Sequence, residues 1–203
     1  MKKTMLLGVL MLSAAAGYAQ ESRRDVSFSG TGIFGPTIHG ANDVKQSMTG
    51  ALGLVLSYRY MLTPRSAIEV NYGFAQDNQK YITSYEPYAR IHSRQQEVTG
   101  AYVFGLTFKR FNPFLEAGVG TLIFTPVLDN ETNLLGTKSS KGVAGLFGGG
   151  LAYELSPSFD IRAEYRGLLT KTPSFGETQG SEDFSTNRYE IISVPTIGVA
   201  YHF

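Results

Sequence analysis

The chain has 203 residues, with 18 Lys and Arg against 17 Asp and Glu and a formal net charge of +1, a balance that excludes the strongly basic footprint of a nucleic-acid-binding protein. It has no cysteine, which excludes disulfides, thiolate metal ligands and thiol nucleophiles. It carries 23 Gly, 13 Phe and 12 Tyr, and past its first twenty residues no segment is apolar enough for a membrane helix, so it can enter a bilayer only as a closed β-barrel.

The opening Met1-Lys2-Lys3, the apolar run Met5 to Leu12 and the small residues Gly17 and Ala19 have the form of a signal peptide cleaved after Ala19. That run is too short to cross roughly 30 Å of hydrocarbon as a helix. Residues 1–19 are therefore expected to be removed, leaving 20–203 as one domain. Loss of Lys2 and Lys3 leaves 18 − 2 = 16 bases against 17 acids, a net charge of −1.

Alternation of bulky apolar with small or polar letters then recurs eight times. The first strand, Asp25 to Phe34, sends Val26, Phe28 and Phe34 to one face and Ser27, Ser29 and Thr31 to the other. The second, Thr49 to Met61, sets Leu52, Leu54, Leu56, Tyr58 and Tyr60 against Gly53, Val55, Ser57 and Arg59; the third, Ser66 to Ala75, sets Ile68, Val70, Tyr72 and Phe74 against Glu69, Asn71 and Gly73. In the fourth, Gln96 to Lys109, Val98, Tyr102, Phe104 and Phe108 oppose Thr99, Ala101, Thr107 and Lys109.

In the fifth, Pro113 to Phe124, Leu115, Ala117, Val119 and Ile123 oppose Glu116, Gly118 and Gly120. The sixth, Gly142 to Glu154, sets Val143, Phe147, Leu151 and Tyr153 against Ala144, Gly148, Gly150 and Glu154. Its Gly145 and Gly149 mimic a helix-packing GxxxG, but the apolar run is too short to span as a helix. The seventh, Phe159 to Leu169, sets Ile161, Ala163, Tyr165 and Leu169 against Asp160, Arg162, Glu164 and Arg166. The last, Arg188 to Phe203, has a greasy face ending in Val199, Tyr201 and Phe203, and a face from Glu190 to His202 that reads as small and polar. Pro195 lies inside it, where a bulge or local break in the ladder is expected.

Connections alternate in length. Leu62 to Arg65, Arg110 to Asn112 and Leu155 to Ser158 are tight, while Gly35 to Met48, Gln76 to Gln95, Thr125 to Lys141 and Thr170 to Asn187 are long and polar. This predicts an all-β fold, an eight-stranded antiparallel up-and-down transmembrane β-barrel with short turns and both termini on the periplasmic side. Tyr58, Tyr60, Phe108, Tyr153, Tyr201 and Phe203 fall at the ends that descend to the short turns, as an aromatic girdle at the headgroup level would. Inward, Arg59, Lys109, Arg162 and Arg166 balance Glu69, Glu116, Glu154, Asp160 and Glu164, a charge network expected to fill the lumen. Arg59 and Glu69, almost equally far from one turn, should be neighbours.

The phrases Tyr58-Arg59-Tyr60-Met61-Leu62-Thr63-Pro64, Tyr153-Glu154-Leu155-Ser156-Pro157 and Asp160-Ile161-Arg162-Ala163-Glu164-Tyr165-Arg166 resemble the strand-turn-strand segments of small eight-stranded outer-membrane barrels of the OmpA, OmpX and opacity-protein type. The ending Val199, Tyr201, Phe203 resembles the assembly signal read by the barrel assembly machinery. The resemblance implies a bacterial outer-membrane location, contact with outer-membrane lipid and lipopolysaccharide, a monomer, and a role in envelope structure or in surface interaction through the four outer loops. A narrow or gated pore for small solutes or ions is the alternative. A lipocalin-like soluble cup, with its bulky face inward, is disfavoured by strand length and by the regular alternation of loops.

No catalytic residue and no cofactor or metal site is assigned. Ser193 and His202 share a strand, but nine residues at about 3.3 Å each hold them roughly 30 Å apart. His39 and His92, in separate outer loops, lack ligand spacing. The acids Asp129, Glu131, Glu177, Glu182 and Asp183 read as solvated loop charge.

Overall fold

Burial alternates residue by residue along eight long antiparallel strands, and the bulky apolar side chains are the exposed ones. The computed structural model describes residues 23–39, 45–82, 89–127, 139–174, 178–179, 182–183 and 186–203; the signal-peptide expectation on residues 1–19 lies outside these. The strands are β1 (Arg24–Ile33), β2 (Ala51–Thr63), β3 (Ser66–Ile82), β4 (Ala89–Gly105), β5 (Phe111–Pro126), β6 (Ser140–Ser156), β7 (Phe159–Lys171) and β8 (Tyr189–His202). Each pairs with its chain neighbours, and β1 closes on β8 from Asp25↔His202 to Thr31↔Thr196. The GxxxG-bearing stretch is part of β6.

Leu52 is 86% exposed and Val143 77%, while Arg166 and Glu69 are each 1% exposed. A soluble cup would reverse these values. The exterior is apolar because lipid covers it, and the polar letters point inward because backbone hydrogen bonds and lumen partners satisfy them there.

Three features depart from the simplest reading of the sequence. First, β3 and β4 run on to Ile82 and from Ala89, paired as far as Tyr81↔Ala89, so most of the stretch expected as a loop over Gln76 to Gln95 is ladder. Both faces of a strand are wet above the bilayer, so hydrophobic alternation fades although backbone pairing continues. A short hairpin, Ile38–His39 with Lys45–Met48, extends this wall by pairing with β3.

Second, the turn after β4 is not at Arg110 to Asn112. The hairpin narrows through Leu106 N–H to Pro113 O at 2.9 Å and a reciprocal Phe108–Phe111 pair at 2.9 Å, leaving Lys109 and Arg110 at the tip. Lys109 has a φ of 56° and is exposed at this tip, so it is not a lumen charge.

Third, Pro195 breaks one ladder without a bulge. Pairing with β7 runs unshifted through Pro195↔Tyr165, because successive N–H groups of a strand point to opposite neighbours and the missing one faces β1. On that side continuous pairing ends at Thr31↔Thr196 and resumes, in the same register, as a single Phe34↔Ser193 bridge. The Thr31 hydroxyl lies 3.1 Å from Gly32 O and 3.0 Å from Pro195 O, and supplies a donor where proline has none.

Candidate functional site

Among the described residues, ionisable side chains from many strands gather in the lumen, and it is layered. At the short-turn end, Nε of Arg59 (β2) donates to Oε2 of Glu69 (β3) at 2.6 Å, the two standing opposite each other in register. Arg162 (β7) reaches Asp25 Oδ2 at 3.2 Å and Glu69 Oε2 at 3.8 Å. The Phe114 ring lies between the two guanidiniums, 4.7 Å from that of Arg59 and 5.9 Å from that of Arg162, a cation–π arrangement that gives them an apolar floor. His202 stands at the mouth with Nε2 2.9 Å from Asp160 Oδ2 and Nδ1 4.0 Å from Asp25 Oδ2. A cavity of about 150 Å³ opens here, lined among others by Asp25, Arg59, Phe114, Asp160, Arg162 and His202.

One layer further in, Arg166 is ringed by three acids: Glu97 Oε1 at 2.5 Å, Glu164 Oε1 at 3.2 Å and Glu116 Oε1 at 3.5 Å. Thr99 ties in through a 2.9 Å bond to Glu97. Gly148 makes room for this cluster: a Cβ there would lie 2.6 Å from Tyr165 O and 2.7 Å from Glu116 Oε1. Across the two layers three arginines face six carboxyl groups, an acid excess that the sequence pattern understated.

Packed against the ions, and extending toward the outer end, lies an apolar layer, with Ala101 opposite Glu69 and Val194 opposite Arg166. Ile33, Ala75, Ala101, Leu122, Phe124, Ala144, Leu146, Leu168, Ile192 and Val194 form one buried cluster, with Ala51 packed against it, so all eight strands contribute. Phe124, its largest member, is 1% exposed, and Leu122, Leu168 and Ile192 are 0% exposed. Beyond it the lumen is polar again: Ser93 Oγ donates to Asp77 Oδ1 at 2.5 Å, and Thr172 meets Thr186 at 2.6 Å. The inner face of β8 is thus not uniformly small and polar, since Ile192 and Val194 sit in the apolar layer.

Of the expected network, Arg59, Glu69, Glu116, Asp160, Arg162, Glu164 and Arg166 meet in the lumen. Lys109 stands at its turn tip because the chain has left the ladder at Gly105, and Glu154 is half-buried at the short-turn rim, outside the ion pairs among the described residues. Asp25, Glu97, Thr99 and His202 complete the network. Inward parity on their own strands was the signal for each.

The outward aromatics Tyr58, Tyr60, Phe108 and Phe203 are exposed, and Tyr153 and Tyr201 are partly covered. Phe111 packs on Tyr153 and Phe159 on Tyr201, both at 5.0 Å between centroids, so the ring includes two members from the starts of ascending strands. Val199 and Phe203 are outward and exposed, and Tyr201 stacks on Phe203 at 6.1 Å.

Among the described residues, Ser193 and His202 do not meet. Ser193 points outward and pairs with Tyr165 Oη at 2.8 Å, whereas His202 faces the lumen. His39 is in the outer hairpin, and His92 is bonded to Asn78 at 2.7 Å. No set of three His, Cys, Asp or Glu suited to a metal ion occurs among the described residues. Asp129, Glu131 and Glu177 lie outside the described residues, while Glu182–Asp183 pairs with Thr178–Gln179.

Residues 4–203 match the family model described as outer membrane protein beta-barrel domain. No curated protein matches. Among solved structures, OprG from Pseudomonas aeruginosa superposes with a TM-score of 0.65 at 13% identity, covering 91% of this chain and 98% of that one. Neisserial surface protein A gives 0.58 at 15% identity over 90% and 98%. Ail, the attachment invasion locus protein of Yersinia pestis, gives 0.53 at 17% identity over 91% and 100%.

Proposed function

The chain belongs to the outer membrane protein beta-barrel domain family and resides in the bacterial outer membrane, and from that premise we propose that it is a non-enzymatic surface barrel with a closed lumen, acting in envelope structure or surface interaction through its outer connections. The observation that carries this reading is the apolar layer. Buried carbon from all eight strands fills most of the lumen between the ion network and the outer cup, and on β4, where Glu97, Gln95 and Ser93 stay polar, the side chains are buried to within a few per cent of full exclusion from solvent. Small ions crossing there would have to shed most of their water, which is costly beside buried carbon. An eight-stranded barrel has only enough interior for its own side chains. The wall of β3 and β4, carried past the membrane, offers the extended surface that an external ligand would meet. Val199, Tyr201 and Phe203, outward at the end of β8, are the residues we expect the barrel assembly machinery to read, and the barrel works as a monomer.

A gated pore is favoured by one observation. Arg59 Nη2, Arg162 Nη1 and both Glu116 carboxyl oxygens are buried without hydrogen-bond partners in the protein, which leaves room for water in the lower lumen. Planar-bilayer recording separates the two readings. We expect electrical silence from the refolded barrel; steady openings whose conductance changes in Glu69→Gln or Arg162→Gln would establish the pore. Shortening the β3–β4 wall or the connection after β7 should remove a whole-cell binding phenotype without affecting barrel assembly.

A further inference from the structure

We propose that the periplasmic mouth of the lumen is a binding site for a small zwitterion of the α-amino-acid class. The inference goes beyond the surface-barrel reading, which draws on the outer connections and gives this end of the barrel no role.

It starts from hydrogen-bonding capacity that the protein leaves unused around one cavity. The cavity holds about 150 Å³ and opens at the short-turn end beside His202. Arg59, Arg162 and Asp25 line it and are 6%, 3% and 2% exposed. Among the described residues, Arg59 Nη2, Arg162 Nε and Nη1, and Asp25 Oδ1 are buried with no hydrogen-bond partner, and so is Oδ1 of Asn112, another lining residue. Donors and acceptors are both left unanswered, and each such group carries its desolvation cost in full.

The walls carry no net charge that would select a plain ion. Arg59 is matched by Glu69 at 2.6 Å and Arg162 by Asp25 at 3.2 Å, while the exposed Arg65 offsets Asp160 when His202 is neutral. A carboxylate alone would answer the guanidinium N–H groups but lie against Asp25. An ammonium alone would answer Asp25 and Asn112 but lie against two arginines. A guest with both charges a few atoms apart answers both sets, its carboxylate accepting from Arg59 and Arg162 and its ammonium donating to Asp25 Oδ1 and Asn112 Oδ1.

Much of the rest of the lining is carbon, with Met61, Ala67, Val103, Leu106 and the Phe114 ring. A cavity of this volume takes a body of about six carbon atoms, so the guest's side chain is aliphatic and small. Gly105, inward at the end of β4, keeps the space open: a Cβ there would come no closer than 3.9 Å to Phe114 Cβ and Pro113 O. The Arg166 cluster and the apolar layer fill the lumen behind the cavity, so the guest enters from the periplasm.

The test uses the mature barrel refolded in phospholipid nanodiscs. It retains two methionines, since three of the five, Met1, Met5 and Met11, lie in the expected signal peptide. Met61 lines the cavity, whereas Met48 packs on the apolar cluster. With isotope-labelled methionine methyl groups, the NMR signal of Met61 reports binding and that of Met48 is the control. Three ligands share one branched body: L-leucine, isocaproate, which lacks the ammonium, and isoamylamine, which lacks the carboxylate. Three variants are compared, Arg59→Gln, Asp25→Asn and Gly105→Leu, the last filling the cavity while leaving every ion pair in place. Folding is verified by heat-dependent gel migration.

We expect L-leucine to move the Met61 signal saturably and leave Met48 unmoved, with isocaproate and isoamylamine binding at least about tenfold more weakly, since each leaves one set of groups unanswered. Arg59→Gln and Asp25→Asn should each weaken L-leucine by a similar factor, and Gly105→Leu should abolish the shift. Isocaproate binding as tightly as L-leucine would overturn the proposal in favour of an anion site, and isoamylamine doing so would overturn it in favour of a cation site. The absence of a saturable Met61 shift would leave the cavity to water and also overturn it, as would Arg59→Gln, Asp25→Asn or Gly105→Leu binding L-leucine as the wild type does. Should Arg59→Gln and Asp25→Asn fail to fold, the three ligands and Gly105→Leu decide the matter. None of these results depends on conductance or on the outer connections, so the surface-barrel reading and this site fail separately.

Discussion

At the scale of the residue, the consequences of burial are sharpest at Arg166, whose side chain is 1% exposed and is the cation that holds Glu97, Glu116 and Glu164 together. Replacing it by Met leaves three carboxyls facing one another in a confined space. We expect Arg166→Met to lose about 3–5 kcal/mol, read as a lowered midpoint of urea unfolding in phospholipid vesicles followed by circular dichroism. Lys109→Gln, the same class of change at the exposed turn tip, should stay within about 0.5 kcal/mol. In sequence both residues look like inward bases on alternating strands. What separates them is where the ladder stops, and the Phe108–Phe111 pairing that ends it involves two aromatics which have no distinctive turn chemistry. Arg59 and Glu69 were easier to place, since equal distance from one short turn fixes which residues stand opposite.

At the scale of the element, β8 shows how a strand tolerates a residue that cannot donate. The break at Pro195 is confined to the β1 side, and one hydroxyl bridges it. Thr31→Val keeps the shape of that side chain and removes its donor, leaving two carbonyls to share one fewer partner. A loss of about 1–3 kcal/mol is expected in the same unfolding measurement, with Ser27→Val, two pleat repeats lower and away from Pro195, as the comparison. The proline itself is plain in the sequence. Which neighbour its missing N–H faces is not, because that depends on the pairing phase of β8 with β1. The outer halves of β3 and β4 were hidden for a related reason: Gln76, Asn78 and Lys80 alternate with Asp77 and Gln79, and letters that are polar on both faces carry no period that betrays a strand.

At the scale of the whole molecule, everything turns on which face meets lipid. The absence of cysteine makes this directly measurable, because a single introduced thiol is the only one present. A probe at Leu54→Cys should be quenched by agents attached to acyl chains, and one at Ala144→Cys, which is 0% exposed, should not. The reverse result would describe a soluble cup. The sequence by itself determined the strand number, the antiparallel order and the outward face, since a period of two sustained across eight segments with alternating long and short links admits one simple closed sheet. Tertiary structure decided what fills the middle. Leu122, Phe124, Leu146, Leu168, Ile192 and Val194 lie at inward positions spread over the four strands β5 to β8, and each alone looks like a lapse in a polar face. They become one cluster only when closure brings all eight strands around the same lumen, because contact across a lumen depends on stagger and tilt, which local alternation does not encode.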